Sequence, residues 1–398
     1  TYSNHNAMLK SKVDHSIIMS EAKENAYYQK RTNLGKPMRN WHNWIKSNLI
    51  YTYTNFNYVQ SGKHMSVLDY GCGRGGDLMK YYYSQVDFYV GIDVDNNGLA
   101  SPGDGAISRY NQFRKTKANF PKCSFIHADG GTLLNYEDQN KALGGMDKKN
   151  MDLMNQYFSK ESSKRTQFDS ISCEFAVHYL FANETVFSNF TQNINDYLKP
   201  GGIFILTTFD ADRIIDALKD KDKYTINYTA QNGEQQVLID IIKNYKEPEK
   251  NTKIGLGYAI SIHNDLYSNE GEYITEYLVQ KDFMVEELAK RCNLELLDTD
   301  LFENQYHIHS DFFLNEVYKQ ESSEKTRQFL KDVSEFFTQK TDINNASYQM
   351  SRLYRYYAFR KKSDIKPVKK EINQTKQKPK QKGGLPVYKV TIDDVVFN

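Results

Sequence analysis

The chain has 398 residues, 39% of them hydrophobic and 26% charged, with a formal net charge of +2, enough to bury one large core or two smaller ones. No run is long and apolar enough to cross a membrane as a helix, so no membrane partner is expected, and the opening residues do not resemble a secretory signal. Cys72, Cys123, Cys173 and Cys292 lack paired spacing, which speaks against a disulfide framework or a zinc knuckle and for a reducing compartment.

Charge is unevenly placed. Residues 360–382 hold ten Lys and Arg against two acids, a local +8 that leaves −6 for everything else. Such a tail suits contact with RNA or an anionic surface, and equally a solvated linker. The first residue is Thr1, which predicts a processed product or a piece cut from something longer.

Residues 1–33 read as a polar helix with Ile17, Ile18 and Met19 as a docking face. Trp41, Trp44, Ile45 and Leu49 then recur at helical spacing, which predicts a packed helix. Asn43 and Lys46 fall near its packed face, within reach of a pocket. The stretch SVLDYGCGRGGD follows at 66–77. An apolar strand runs into Asp69, then into a turn holding Gly71, Gly73, Gly75 and Gly76, then into a helix over 78–83. Glycines let backbone pass close to a ligand. At a strand-to-helix junction they mark a nucleotide-type cofactor site at the carboxyl end of a strand, although a tight turn in any α/β domain reads the same way. The spacing is not the dinucleotide fingerprint. An acid leading into G-x-G suits S-adenosylmethionine, which brings an ammonium group and no pyrophosphate.

A second strand over 89–93 ends at Asp93, placed to accept bonds from a ribose diol, with Asp95 a weaker candidate. A helix over 106–114 offers Arg109. A third strand over 123–127 leads to Asp129, expected beside the adenine with the local backbone reading the ring edge. Residues 138–167 are charged and irregular and read as a surface insertion. A fourth strand over 168–171 runs into CEFAVHY, where helical spacing would group Phe175, His178 and Tyr179. A lone histidine is more commonly a satisfied core residue, but this one follows a strand on the edge where ligands bind. A helix closing at 196–200 precedes Gly201-Gly202 and a fifth strand over 203–208, with Asp210 as the cap of the next helix. Strands alternating with helices predict a parallel sheet.

The pattern changes from 224 to 280. Four strands, over 224–228, 237–242, 257–262 and 272–279, read as an antiparallel addition, and Glu276 interrupts the apolar run of the last. An amphipathic helix over 283–290, a strand over 294–297, a charged helical region over 310–345 and an aromatic strand over 353–359 follow. Beyond the lysine linker a strand-like tail is expected over 387–397.

S-Adenosylmethionine is a sulfonium electrophile, so the protein's task is placement, which in favourable cases supplies about 7–11 kcal/mol of the barrier reduction. No Ser-His-Asp, Cys-His or metal-ligand arrangement stands in a credible context. His178 and Glu276 are candidates for orienting a substrate, with aromatics as stacking faces. A carboxylate facing a purine accepts two protons from guanine N1 and N2 and has no equivalent match on adenine. Arg74, Arg109 and Arg213 are candidates for substrate phosphates.

Taken together these segments resemble the messenger RNA cap guanine-N7 methyltransferases over nearly all of 15–361. RNWHNWIKSNLI, VLDYGCGRGGDLMKY, CEFAVHYLF, TEYLV and LYRYYAF match the family's motifs in order. LTTFDADRI and the absent start methionine look most like the C-terminal methyltransferase domain of the multifunctional mRNA-capping enzymes of large DNA viruses. The resemblance implies a Rossmann-like class I S-adenosylmethionine-dependent methyltransferase: an α/β fold, mostly parallel sheet, with an antiparallel cap-binding addition. It implies an N-terminal helical segment over 1–50 contributing to the active site, a methyltransferase domain over 51–361 with the insertion at about 222–280, and a linker and tail over 362–398.

By position the resemblance implies that Lys46, Asp69 and the Gly71 and Gly73 backbone hold the methionine end of the cofactor, Asp93 the ribose and Asp129 the adenine. Glu174 stands where the family usually has a glutamine facing the cofactor. Phe175, His178 and Tyr179 would line the methyl-transfer pocket, Glu276 would read the guanine, and Tyr354 would contact the cap. His42, Arg74, Asp77 and Arg109 would fall near the cap, its ribose or its phosphates. His42 replaces an asparagine common in the family, Glu174 replaces a neutral amide, and Phe209 stands where many members have proline. The cofactor is expected to leave as S-adenosylhomocysteine, with no metal and no general base, because guanine N7 carries an in-plane lone pair. Expected partners are 5′-capped RNA, linked or associated RNA triphosphatase and guanylyltransferase domains, and a stimulatory subunit. Expected locations are the host cytoplasm (a viral factory) or the virion if viral, and the nucleus if cellular. Two competing readings stand beside this one: a methyltransferase with another acceptor, and a catalytically weak or inactive RNA-binding module supporting a capping complex.

Overall fold

Five apolar runs separated by helices become strands because only a sheet covered on both faces buries them. They are β1 (Ser66–Tyr70), β2 (Phe88–Asp93), β3 (Lys122–His127), β4 (Phe168–Glu174) and β5 (Leu198–Phe209). The alternating runs that follow give β6 (Lys223–Thr229), β7 (Gln235–Lys243), β8 (Ala259–Asn264) and β9 (Ile274–Tyr277), and the chain closes its sheets with β10 (Leu294–Leu301) and β11 (Tyr354–Lys361). The computed structural model describes residues 33–61, 65–248 and 254–363. All but the last residue of the expected helix over 1–33, the lysine-rich stretch from 364 and the tail over 387–397 lie outside the described residues.

β1 to β5 pair in parallel, and the first sheet runs β10-β11-β5-β4-β1-β2-β3. β11 lies antiparallel to β5, and β10 antiparallel to β11. The architecture is Rossmann-like, mostly parallel with one reversed strand. Its winding changes direction at β1, which has β2 on one side and β4 on the other. The carboxyl ends of β1 and β4 therefore open the crevice where such sheets hold ligands. β6 to β9 form a separate four-stranded antiparallel sheet. Glu276 lies on β9, opposite Ile260 of β8.

Helix α1 (Lys36–Ser61) buries Trp41, Trp44, Ile45 and Leu49, as their spacing predicts. After it come α2 (Leu78–Tyr83), α3 (Asn96–Ala100), α4 (Ala106–Thr116), α5 (Tyr136–Ala142), α6 (Lys148–Tyr157), α7 (Glu184–Tyr197), α8 (Ala211–Ala217) and α9 (Lys281–Cys292). α10 (Phe302–Leu314), α11 (Glu324–Thr338) and α12 (Asp342–Ser351) complete the set. The Trp41 ring meets Phe337 edge-on at 5.0 Å, with Tyr306 and Phe313 also edge-on. Burying so large a ring contributes up to about 5 kcal/mol at roughly 25 cal/mol per Å². α1 is thereby anchored on α10 and α11, one face away from the crevice that its other residues line.

Three expectations change. Residues 138–167 are not simply irregular: α5 and α6 occupy half of them, and Met154, Tyr157 and Phe158 are buried core. The missed signals are helix caps, Asn135 accepting the Asp138 N–H and Asp147 the Asn150 N–H. Leu198–Pro200 do not close a helix: α7 ends at Tyr197, and β5 takes them up instead. Phe175 does not sit on a helical face with His178 and Tyr179. It adopts φ +56°, and a 3-10 turn over Val177–Phe181 follows.

Candidate functional site

At the carboxyl end of β1 the chain must turn sharply, and the glycines allow it. Gly71 lies at φ +79°, where an added Cβ would strike Ala176 Cβ at 2.7 Å, so the turn and the loop after β4 touch only through its bare backbone. Gly73, at φ +51°, has nothing within 4 Å of the place a Cβ would take. That leaves room for a ligand against the backbone. The Gly73 N–H donates to Asp93 Oδ2 at 2.7 Å and the Asp95 N–H to Asp93 Oδ1 at 2.8 Å. The tip of β2 is thus tied to the glycine turn, with lone pairs left on Asp93 for a diol.

Charge beneath the turn is dense and dry. Lys46, from α1, donates to both Asp77 oxygens at 2.8 Å. Lys80, on α2 and fully buried, donates to Asp77 Oδ1 at 2.6 Å and to Asn43 Oδ1 at 3.1 Å. Burial alone would raise the Asp77 carboxyl, but the two ammonium groups hold it well below the usual carboxylate range. Asp69 has no such partner. It accepts from the Tyr89 hydroxyl at 2.7 Å, and burial, with Asp77 nearby, pushes it up to about 8. Glu174 ends β4. Its Oε2 accepts from Thr207 Oγ1 at 2.7 Å, its Oε1 is buried with no hydrogen-bond partner, and burial pushes it up to about 7.

Two raised acids, one holding a buried and unsatisfied oxygen, beside a glycine turn with open space fit a cationic ligand bearing donors. The ammonium and sulfonium of S-adenosylmethionine match that demand. Among the described residues no group of three or more His, Cys, Asp and Glu is placed to hold a metal ion. Asp129 Oδ1 accepts from the Gly131 N–H, and its Oδ2 from Thr132 Oγ1. Gln139 takes the Asp129 N–H and carbonyl, both at 2.8 Å, which leaves a ring-edge contact to the neighbouring backbone.

Beyond the acids lies an aromatic box. Phe175, His42 and Tyr354 meet with ring centroids 5.2–5.8 Å apart, and Tyr354 stacks on Phe209 at 4.2 Å. The Phe175 N–H donates to the Thr207 carbonyl at 3.0 Å and lies 3.1 Å from Thr207 Oγ1, which holds the strained backbone in place. Lys46 Nζ lies 5.8 Å from the Phe175 ring centre. His42 Nε2 and Ser351 Oγ are 2.9 Å apart, and burial, with Lys46 nearby, lowers its pKa to about 3. His42 is a neutral member of the box.

The His178 and Tyr179 rings lie tilted against each other with centroids 4.2 Å apart. His178 Nε2 lies 3.5 Å from Glu276 Oε1, where β9 packs on the 3-10 turn. Both His178 nitrogens and Glu276 Oε2 are buried without hydrogen-bond partners. Burial lowers His178 to about 3 and raises Glu276 to about 8. Such unsatisfied polar atoms cost about 1–3 kcal/mol each. A planar ligand with several donors and acceptors would satisfy them.

Arg74 is committed otherwise than expected: it forms a buried ion pair with Asp104 at 2.7 Å. Arg109 is buried on α4, and Arg213 pairs with Glu303 at 2.7 Å. The residues that sequence reasoning passed over are Lys80, Tyr89 and Thr207. Lys80 alone carried a signal, a lysine three residues after an acid inside an otherwise apolar helix.

A family model described as the mRNA (guanine-N(7))-methyltransferase domain matches residues 4–362. The "Probable mRNA-capping enzyme" of Acanthamoeba polyphaga mimivirus is 39% identical over 348 residues, 85% of this chain and 28% of that protein. The "mRNA cap guanine-N(7) methyltransferase" of Caenorhabditis elegans is 36% identical over 182 residues, 45% of this chain and 40% of that protein. The chain thus spans less than half the length of either relative. Among solved structures, an S-adenosylmethionine-dependent methyltransferase from Clostridium acetobutylicum aligns at 13% identity and a TM-score of 0.43, covering 82% of this chain and 92% of that one.

Proposed function

Since the chain belongs to the mRNA (guanine-N(7))-methyltransferase domain family, we propose that it methylates N7 of the guanine cap at the 5′ end of RNA, using S-adenosylmethionine. The observation that carries the acceptor is the pair formed by Glu276 and His178, buried 3.5 Å apart with unsatisfied polar atoms. Guanine offers adjacent N1–H and N2–H donors to a carboxylate, and an O6 acceptor beside them.

When bound, the cofactor supplies an electrophilic methyl group. Asp69 and Glu174 provide negative charge for its cationic end, and Lys46, held by Asp77, provides a cation for its carboxylate. Asp93 accepts the ribose hydroxyls, and Asp129 marks the adenine end. Phe175, Tyr179 and Tyr354 give flat faces for the base, and Glu276 and His178 fix its rotation. Residues that only position the two reactants suffice, because N7 attacks through a lone pair and releases no proton.

The chain's partners would be capped RNA, the triphosphatase and guanylyltransferase activities that build the cap, and a stimulatory subunit. It would work wherever those partners are, in a cytoplasmic viral factory or virion, or in a nucleus. The experiment is methyl transfer from labelled S-adenosylmethionine to GpppA-ended RNA by the purified chain, followed by nuclease digestion and chromatography. Label on guanine N7 is the expected result. Label elsewhere, or none on a protein that binds cofactor and capped RNA alone, would overturn the proposal.

A further inference from the structure

The cofactor end of the crevice holds an acid whose charge has a task of its own. Glu174 is buried at the end of β4, with one oxygen held and one open. Thr207 Oγ1 donates to Oε2 at 2.7 Å, which fixes the carboxyl plane, while Oε1 has no hydrogen-bond partner. The charged groups bearing on it are Lys46 from α1, Asp77 from the glycine turn, Lys80 from α2 and Asp69 from β1, with Tyr81 also adjacent. Lys46 and Lys80 are both bound to Asp77. Lys46 and Lys80 favour the ionised form of Glu174 through space, but burial outweighs them and neither ammonium is hydrogen-bonded to it, so a ligand's positive charge would stabilise the carboxylate further.

We propose that Glu174 is a specificity-determining residue that makes the site distinguish the sulfonium cofactor from the uncharged sulfide left after methyl transfer. The proposal rests on the reading of the site as one for S-adenosylmethionine. The two molecules share ammonium, carboxylate, ribose and adenine, and differ by one methyl group and one positive charge. Contacts to the shared groups serve both alike, so the anions Asp69 and Glu174 are the features able to tell the two apart, and of these Glu174 holds the buried oxygen without a hydrogen-bond partner. A neutral amide of the same shape would keep the hydrogen bonding and lose the discrimination. Because the group ionises near neutrality, the preference grows with pH. Product release is thereby favoured as the positive charge leaves.

The test is calorimetric. Affinities for S-adenosylmethionine and S-adenosylhomocysteine are measured at about pH 6 and pH 8 for the wild-type chain, Glu174→Gln and Thr207→Val. In the wild type the preference for the sulfonium rises several-fold between these pH values. Glu174→Gln lowers that preference at pH 8 by about tenfold, the lower end of what a charged contact contributes, and abolishes the part of its pH dependence that Asp69 does not supply. Thr207→Val keeps the carboxyl but frees it and removes a bond that favours its ionised form, and falls between the two. An unchanged ratio in Glu174→Gln, with both ligands still bound, overturns the proposal. If the wild type binds neither ligand, it is the cofactor reading that fails.

Discussion

Replacing Glu276 with glutamine tests the base-recognition end of the site. The amide keeps shape and volume but offers one acceptor where the carboxylate offers two, and turns a donor toward a guanine donor. Hydrogen bonds to charged groups contribute about 1.5–3 kcal/mol each. Burial raises Glu276 to about 8, so at pH 7 about nine-tenths of the free protein carries the proton, and ionising it costs about 1.4 kcal/mol. The net loss of cap affinity at pH 7 is then about 1–3 kcal/mol, or roughly 5- to 150-fold. The pH dependence is the sharper part. A raised acid is charged only above its pKa, so cap affinity in the wild type rises about fiftyfold between pH 6 and pH 8. His178, which burial holds near 3, stays neutral across this range and adds no titration. Glu276→Gln is flat. Titration with GpppA in a calorimeter, with cofactor affinity as the control, reads both quantities. Equal cap affinity in the two proteins at pH 8, or a flat wild-type profile, would refute the assignment of Glu276 to the guanine edge.

Asp93→Ala removes the acceptor tied to Gly73 and Asp95. It should weaken cofactor binding at least about tenfold, two lost hydrogen bonds to a carboxylate, while cap affinity measured alone stays within about twofold. Equal cofactor affinity would count against the ribose role. Lys80→Met leaves Asp77 with Lys46 as its cation, and should cost about 2–4 kcal/mol in denaturant unfolding, somewhat less than breaking a buried pair outright. A cost under about 1 kcal/mol would mean the network is not dry. The ligand-free protein should lose stability as pH rises from about 5 to 8.5. Asp69, Glu174 and Glu276 have folded pKa values of about 8, 7 and 8, so the native state holds protons that the unfolded chain releases near pH 4. A melting temperature that is level or rising over that interval would contradict the three raised acids.

Much of this arrangement was legible because it rests on local rules. Asp69 is the next-to-last residue of β1, Asp93 the last of β2, and Asp129 lies two residues beyond β3, and apolar runs closing on acids can be read without a structure. The antiparallel sheet showed itself through alternation, and the tryptophans of α1 through their period. What escaped depended on distant residues. α5 and α6 were hidden by their charge, since a helix buried on one narrow face has few apolar residues to announce it, and only the caps Asn135 and Asp147 spoke for them. The spacing of CEFAVHY points Phe175 to a helical face because nothing in it signals a left-handed residue. Its conformation is held by Thr207, 32 positions away. Arg74 was expected to face phosphates and instead meets Asp104, an acid with no motif around it.

The place of β11 bears on how the protein is made. Its first residue, Tyr354, pairs with Phe209, the last residue of β5. β5 therefore emerges from the ribosome about 145 residues before the neighbour that will cover its flank. At roughly 5–20 residues per second that interval is about 7–30 s. During it a 12-residue strand, buried almost throughout in the finished protein, presents an unpaired edge of the kind that recruits other chains. The same delay means that a nascent chain lacks Tyr354 and cannot close its aromatic box. Truncation or stalling before this strand should yield aggregates, not a slow enzyme.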